Sequence, residues 1–182
     1  MKSAVLALVL AACGSATPSV VTHPPDAHHG PHGEILGLTS RVQIESELPA
    51  WRDAIAASTF DHDAADRLAS VAPGAEVDVF LGTWCGDSRR EVSRLFRALA
   101  QAESVGALPF TIRFIGVDRA KTAPGFTESA GLRYVPTIVV RRGGVELGRI
   151  VESVPATTSV ERALLGLLDG TQSGVISGRP DL

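Results

Sequence analysis

The sequence predicts an α/β domain: a central mixed sheet of about four strands flanked by helices, with a helical extension on its N-terminal side. Three observations predict it. A β-branched and aromatic run, Val77 to Leu81, directly precedes the clearest amphipathic helix pattern of the chain, which starts near Ser88. A second strand pattern, Thr111 to Val117, follows that helix. Two more, Thr137 to Arg141 and Val145 to Val151, flank Arg142-Gly143-Gly144, the flexible turn of a hairpin. A chain of 182 residues, 45% apolar and 20% charged, suffices for one such domain with tails.

The elements follow in order. Residues 39–72 read as the helical extension, with two stretches between Ser46 and Val71. In the first, Trp51 and Ile55 share a face with Ala54 and Ser58; in the second, Asp61 supplies a cap and Ala65, Leu68 and Ala69 recur at helical spacing. Pro73-Gly74 stops it and opens the main domain, 73–170. Its principal helix places Val92, Leu95, Phe96, Leu99 and Ala100 on one stripe, with Arg89, Arg90, Glu91, Arg94 and Arg97 away from it. The last helix is capped by Thr157 or Ser159, aligns Val160, Leu164, Leu167 and Leu168, and stops at Gly170. A strand, a helix and a strand imply a parallel pair with a right-handed crossover, and the hairpin adds an antiparallel edge. Residues 171–182 read as a flexible tail.

The N-terminal residues carry signals of another kind. Lys2 and the apolar stretch Ala4 to Leu10 have the pattern of a signal peptide over residues 1–12, too short to span a bilayer, which takes about 20 apolar residues. Leu10-Ala11-Ala12-Cys13 resembles the lipobox of bacterial lipoproteins, which implies a lipidated Cys13 as mature N-terminus; the alternatives are an ordinary cleaved signal peptide with an incidental Cys13, or a buried apolar N-terminus. Either signal-peptide reading implies export, and the first implies an anchored envelope lipoprotein, periplasmic or facing the outer membrane. Residues 13–38, rich in Pro, Gly, Ser, Thr and His, read as a disordered tether. His23, His28, His29 and His32 with Asp26 invite a metal, but without Cys or a helical pair to preorganise them the reading is a spacer, with no metal site and no cofactor. The net charge of −3 leaves no basic surplus for nucleic acid, and the pairs Arg89-Arg90 and Arg141-Arg142 are too short to change that.

Chemistry concentrates at Cys85, between a strand and the N-terminus of the main helix. Unpaired N–H groups and the positive end of the helix dipole favour a thiolate there, the nucleophile of thiol–disulfide exchange. Thr83-Trp84-Cys85-Gly86-Asp87-Ser88 resembles the Trp-Cys-Gly-Pro-Cys turn of thioredoxins, and Gly131-Leu132-Arg133-Tyr134-Val135-Pro136-Thr137 resembles their cis-proline loop. The resemblance covers roughly Ala75 to Gly170 and identifies the chain as thioredoxin-like, close to a bacterial branch known mainly as uncharacterised. It implies a cis Pro136 packed against the turn and, at Val135, a backbone edge for bound peptide; a trans proline opening an edge strand is the alternative.

Two departures from the family matter. Ser88 stands where the resolving cysteine would be, and Val79 stands where the family has a buried acid; the adjacent Asp78 points to the opposite face by strand alternation. The dithiol cycle is therefore not available within this chain. Asp87, in place of proline, opposes the helix dipole by adding negative charge beside the thiol, whereas Ser88 offers a hydrogen bond to the thiolate. The leading expectation is monothiol exchange, with Cys85 as nucleophile, Ser88 as its stabiliser, and Trp84, Gly86, Asp87, Val135 and Pro136 as the docking surface. Its partners would be exported proteins or low-molecular-weight thiols and disulfides. The alternative is a non-catalytic binding module that keeps the peptide groove. A cluster-holding role of the monothiol glutaredoxin kind is disfavoured, because the Cys-Gly-Phe-Ser turn is not present.

Overall fold

A computed structural model of the chain describes residues 28–127 and 131–182. The signal peptide of residues 1–12, the lipidation site Cys13, and His23 and Asp26 lie outside the described residues. The strands are β1 (His28–His29), β2 (Ile35–Thr39), β3 (Ala75–Leu81), β4 (Phe110–Gly116), β5 (Thr137–Arg142), β6 (Val145–Val151) and β7 (Gly174–Ser177). The helices are α1 (Arg41–Glu47), α2 (Pro49–Ala57), α3 (His62–Leu68), α4 (Gly86–Val105) and α5 (Val160–Asp169).

The seven strands form one mixed sheet in the order β1-β2-β4-β3-β5-β6-β7. At its centre β3 and β4 are parallel, Val79 opposite Phe114, joined through α4 as the strand-helix-strand pattern predicts. On the other side β5 runs antiparallel to β3, and β6 antiparallel to β5. The β5–β6 turn is Gly143-Gly144 with φ of 57° and 78°, two left-handed residues in succession, which glycine adopts without a Cβ penalty.

Local sequence accounts for the helix starts. Ser40, Asp61 and Ser159 accept from the backbone N–H of Gln43, Ala64 and Arg162 respectively, and Pro49 opens α2 at a position that has no intrahelical N–H bond to lose. Buried residues of all five helices, among them Ile44, Trp51, Ile55, Leu68, Leu95 and Leu164, join Val77, Val79 and Leu81 of β3 in one core on one face of the sheet.

The structure corrects five expectations. The sheet has seven strands rather than about four, because β1, β2 and β7 extend it on both edges. The tether assigned to 13–38 ends earlier. Ile35, Gly37 and Thr39 of β2 turn inward, and Gly37 to Thr39 pair antiparallel with β4, so an alternating pattern too short to stand out in a polar context is stabilised by the edge it covers. The tail 171–182 contains β7, parallel to β6, and Arg179 ties it down through Glu152 at 2.8 Å and the ring of Tyr134. The extension 39–72 holds the two expected stretches as α2 and α3, and α1 precedes them as a third helix.

Glu91 also departs from the polar face assigned to it and is 3% exposed.

Candidate functional site

β3 ends at Leu81, and the chain must turn over the end of the sheet to enter α4. The Cys85 N–H donates to the Gly82 carbonyl at 2.9 Å, closing a four-residue turn, and the Cys85 carbonyl accepts from the Arg89 N–H at 3.0 Å. Cys85 is thus the N-cap of α4, and its side chain makes no capping bond. The first-turn N–H groups of a 20-residue helix are left without a side-chain acceptor beside the thiol.

Gly82 cannot be replaced by a larger residue without rearrangement. A Cβ there would sit 2.7 Å from the Trp84 ring, so the absence of a side chain is what lets the indole fold back across the turn. The Trp84 Nε1–H then donates to the Val117 carbonyl at 3.1 Å. Arg119 stacks over the indole, its guanidinium carbon 5.2 Å from a ring centroid, and also faces Glu34 at 3.9 Å.

Cys85 is half-buried and is the free cysteine among the described residues. Its Sγ donates to the Val135 carbonyl at 3.3 Å, and the Val135–Pro136 bond is cis. The two motifs, 50 residues apart in sequence, therefore meet at the thiol. The other predicted site residues gather around them with unequal exposure. Gly86 is exposed, Trp84 and Asp87 are half-buried, and Val135 and Pro136 are buried, offering backbone rather than side chain to anything that docks. Ser88 is fully buried, and its hydroxyl accepts from the Gly82 N–H at 3.1 Å. That bond fastens the helix to the end of β3, a bracing role that the sequence did not suggest.

The charges beside the turn are paired. Arg90 Nη1 lies 2.7 Å from Asp87 Oδ1 and its Nε 2.8 Å from Glu91 Oε1, so one guanidinium is shared by two carboxylates and offsets part of the negative charge of Asp87. Burial works against the Arg90 cation, but the hydrogen bonds from Glu91 and Asp87 outweigh it and raise its pKa further. Asp78 does point away from Val79, as alternation requires. It is 2% exposed and accepts two bonds from Arg113, at 2.7 and 2.9 Å, and one from Arg141 at 2.7 Å.

Sequence reasoning missed the residues that brace the turn from the N-terminal side. Trp51 Nε1–H donates to the Thr83 carbonyl at 2.9 Å, and the Ile35 N–H donates to Thr83 Oγ1 at 3.2 Å. Helical periodicity marked Trp51 as a core residue; nothing in its spacing revealed the polar end of the indole as a support for the turn.

Among the described residues no three His, Cys, Asp or Glu side chains gather as a metal site, and His29 instead faces Glu47 at 3.5 Å. None of the described helices is long and apolar enough to cross a membrane.

No protein-family profile matches the chain, and no curated protein matches it. The structure is similar to a protein of unknown function from Pseudomonas aeruginosa, 16% identical, with a TM-score of 0.54 over 75% of this chain and 94% of that one. At that identity the likeness concerns the fold alone. An HIV epitope scaffold is 17% identical over 74% of this chain and 84% of its own, with a TM-score of 0.47.

Proposed function

We propose that the chain is a thioredoxin-like protein that performs monothiol exchange through a mixed disulfide at Cys85. One observation carries the reading: a half-buried thiol at an uncapped helix N-terminus lies 3.3 Å from the carbonyl that precedes a cis proline. The order of β3, α4, β4, the β5–β6 hairpin and α5 supports the family assignment. The Cys85 thiol loses its proton to solvent, and the thiolate attacks one sulfur of a substrate disulfide. A new sulfur–sulfur bond forms as the old one breaks, and the departing thiolate takes up a proton. Release from the adduct uses an external thiol or a neighbouring cysteine of the substrate, since Ser88 cannot form a disulfide.

Trapping tests this. Protein from its native host, quenched with an alkylating agent and separated without reductant, should show adducts that dithiothreitol dissolves and that Cys85→Ala lacks. Adducts that persist in Cys85→Ala, or a wild-type chain without any, overturn the exchange reading. Partners retained non-covalently by Cys85→Ala would instead favour a binding module, a reading supported by the missing resolving thiol.

The N-terminal pattern supports an exported lipoprotein anchored through Cys13, held in the envelope without a spanning helix. Incorporation of labelled fatty acid into the wild-type chain but not Cys13→Ala is the expected outcome.

A further inference from the structure

A cleft of about 550 Å³ opens beside the turn, between the C-terminal half of α2 and the first turns of α4. Ala57 and Ser58 form part of one wall; Arg89, Arg90 and Arg94 stand on the other, and the cleft reaches Gly86, the residue bonded to Cys85. This volume suits a small ligand, falling within the roughly 300–1,000 Å³ of ordinary ligand sites.

The arginines of α4 differ in what occupies them. Arg90 is shared between Asp87 and Glu91. Arg97, one turn beyond the cleft, donates to the carbonyls of Ile55 and Ala56 at 3.4 and 3.0 Å and lies over the Phe60 ring, closing α2 onto α4. Arg89 and Arg94 make no ion pair and no side-chain hydrogen bond among the described residues, although Arg94 is half-buried. Asp87 is the sole carboxylate on the lining, and it is bonded to Arg90 rather than to Arg89 or Arg94. Two guanidinium groups with no carboxylate partner among the described residues therefore line a cleft that reaches Gly86, the residue after Cys85 in the chain, while the thiol itself points to Val135. Guanidinium is the side-chain group best shaped to take a carboxylate through two parallel bonds.

We infer that this cleft is the substrate subsite of the exchange reaction, and that it takes the carboxylate end of a low-molecular-weight anionic thiol or disulfide of the acidic-peptide class. The inference rests on the exchange reading and names its substrate class. Arg89 and Arg94 hold the carboxylates while the ligand's sulfur reaches Cys85 past Gly86. Cys85 thiolate attacks the disulfide RS–SR, forming Cys85–S–SR and expelling RS⁻, which takes up a proton equivalent to the one Cys85 released. A second thiol of the same class, R′SH, then attacks the ligand sulfur of the adduct as its thiolate, releasing Cys85 thiolate and the mixed disulfide RS–SR′, so that the net reaction is RS–SR + R′SH → RS–SR′ + RSH. No net oxidation of the protein occurs over the cycle.

The experiment measures, by intact mass, the rate of adduct formation on the full chain with three disulfides: anionic oxidised glutathione, neutral hydroxyethyl disulfide and cationic cystamine. Each rate is divided by that of free 2-mercaptoethanol with the same disulfide. The normalised rates should rank anionic, neutral, cationic. The anionic-to-neutral ratio should fall about three- to tenfold in Arg89→Gln/Arg94→Gln, and should fall likewise in about 0.5 M salt. Arg67→Gln, on α3 and paired with Asp169 outside the cleft lining, should keep the ratio. Equal normalised rates for the three disulfides, or a ratio unchanged in the double variant, would overturn the subsite while leaving exchange intact.

Failure of all three disulfides to form an adduct would sink the exchange reading itself. The subsite is then judged on binding alone, using S-methylglutathione and Cys85→Ala in titration calorimetry. Saturable binding lost in Cys85→Ala/Arg89→Gln/Arg94→Gln supports it, and no binding to Cys85→Ala overturns it.

Discussion

The two faces of the sheet are built on different terms. On one, five helices bury a continuous apolar cluster that includes Trp51, Leu68, Leu95, Leu164 and Leu167, and β3 contributes Val77, Val79 and Leu81. On the other, Phe80, Ile115, Val117, Ala123, Val135 and Val139 form a small cluster, with Trp84, Cys85, Phe126 and Leu132 packed against it. Its cover comes from the turn and the β4–β5 connection, with no described helix. On this side Asp78 takes the place of an apolar residue and is held by two arginines. The difference shows where the thick, helix-covered core ends and the half-buried thiol begins. The thiol stands at the edge of the thinner layer, while the helix that carries it is anchored in the thicker one.

Breaking the thick side should cost most. Leu164→Ala removes a fully buried side chain from the helix-covered core and should destabilise by about 3–4 kcal/mol, measured by urea denaturation. Since the turn stands on β3 and α4, a folded Leu164→Ala protein should keep the wild-type alkylation rate at Cys85. A large change in that rate would show that the two faces are more tightly coupled than their separate clusters indicate.

Asp78→Asn tests the thin side. Breaking a buried ion pair typically costs about 3–5 kcal/mol, but Arg113 and Arg141 keep 44% and 23% of their side chains exposed and can turn to water, so about 2–3 kcal/mol is expected. Here alkylation at Cys85 should accelerate, because Phe80 and Val139, neighbours of Asp78 in the register, support Val135 within the same small cluster. An unchanged rate would separate the triad from the site.

Trp51→Phe reaches the turn from the helix side. It keeps most of the buried ring and removes the N–H that satisfies the Thr83 carbonyl, at a cost of about 1–2 kcal/mol. Unlike Leu164→Ala, it should raise hydrogen exchange at Thr83 to Cys85 more than its small effect on stability would suggest, which exchange mass spectrometry can resolve. Equal protection in both proteins would leave Ser88 and Gly82 as the main fastening of the turn.

These contrasts also explain what could be read in the sequence. The central strands, α4, α5 and the Gly143-Gly144 hairpin announced themselves because each buries a periodic stripe or needs a special backbone. The meeting of Cys85 with Val135 and Pro136 came through the motif resemblance, and the structure brings those residues together. β2 and β7 did not stand out, because strands of five and four residues, each containing a glycine, are stabilised by the neighbouring strand more than by their own pattern. Glu91 and Glu161 are carboxylates at positions that polarity alone assigns to solvent, yet they are 3% and 0% exposed. Glu161 accepts from the Asp61 N–H, 100 residues away in sequence, a contact that only the packed helices create. The cleft was hidden for the same reason, since the arginines of α4 looked like an ordinary solvated face until α2 closed beside them.

The smallest expected effect lies where α3 meets α5. Burial raises the Asp61 carboxyl pKa, but bonds from the Ala64 N–H and from Arg162 Nε, the latter at 2.6 Å, outweigh it and hold the carboxyl below its ordinary value of 3.8. The folded state therefore binds fewer protons at Asp61 than the unfolded chain does around that pH. The stabilisation is present in full above the unfolded value and is lost as pH falls through the folded one. Urea midpoints should fall between pH 5 and about pH 3, and Asp61→Asn should fall less over that interval, since its amide does not titrate. Asp61 caps a helix that packs only against the helix-covered face, so this acid loss should leave the relative reactivity of Cys85 unchanged in the folded protein. A Cys85 alkylation rate that follows the Asp61 titration, once corrected for thiolate population with Asp61→Asn as reference, would join the two faces that the structure holds apart.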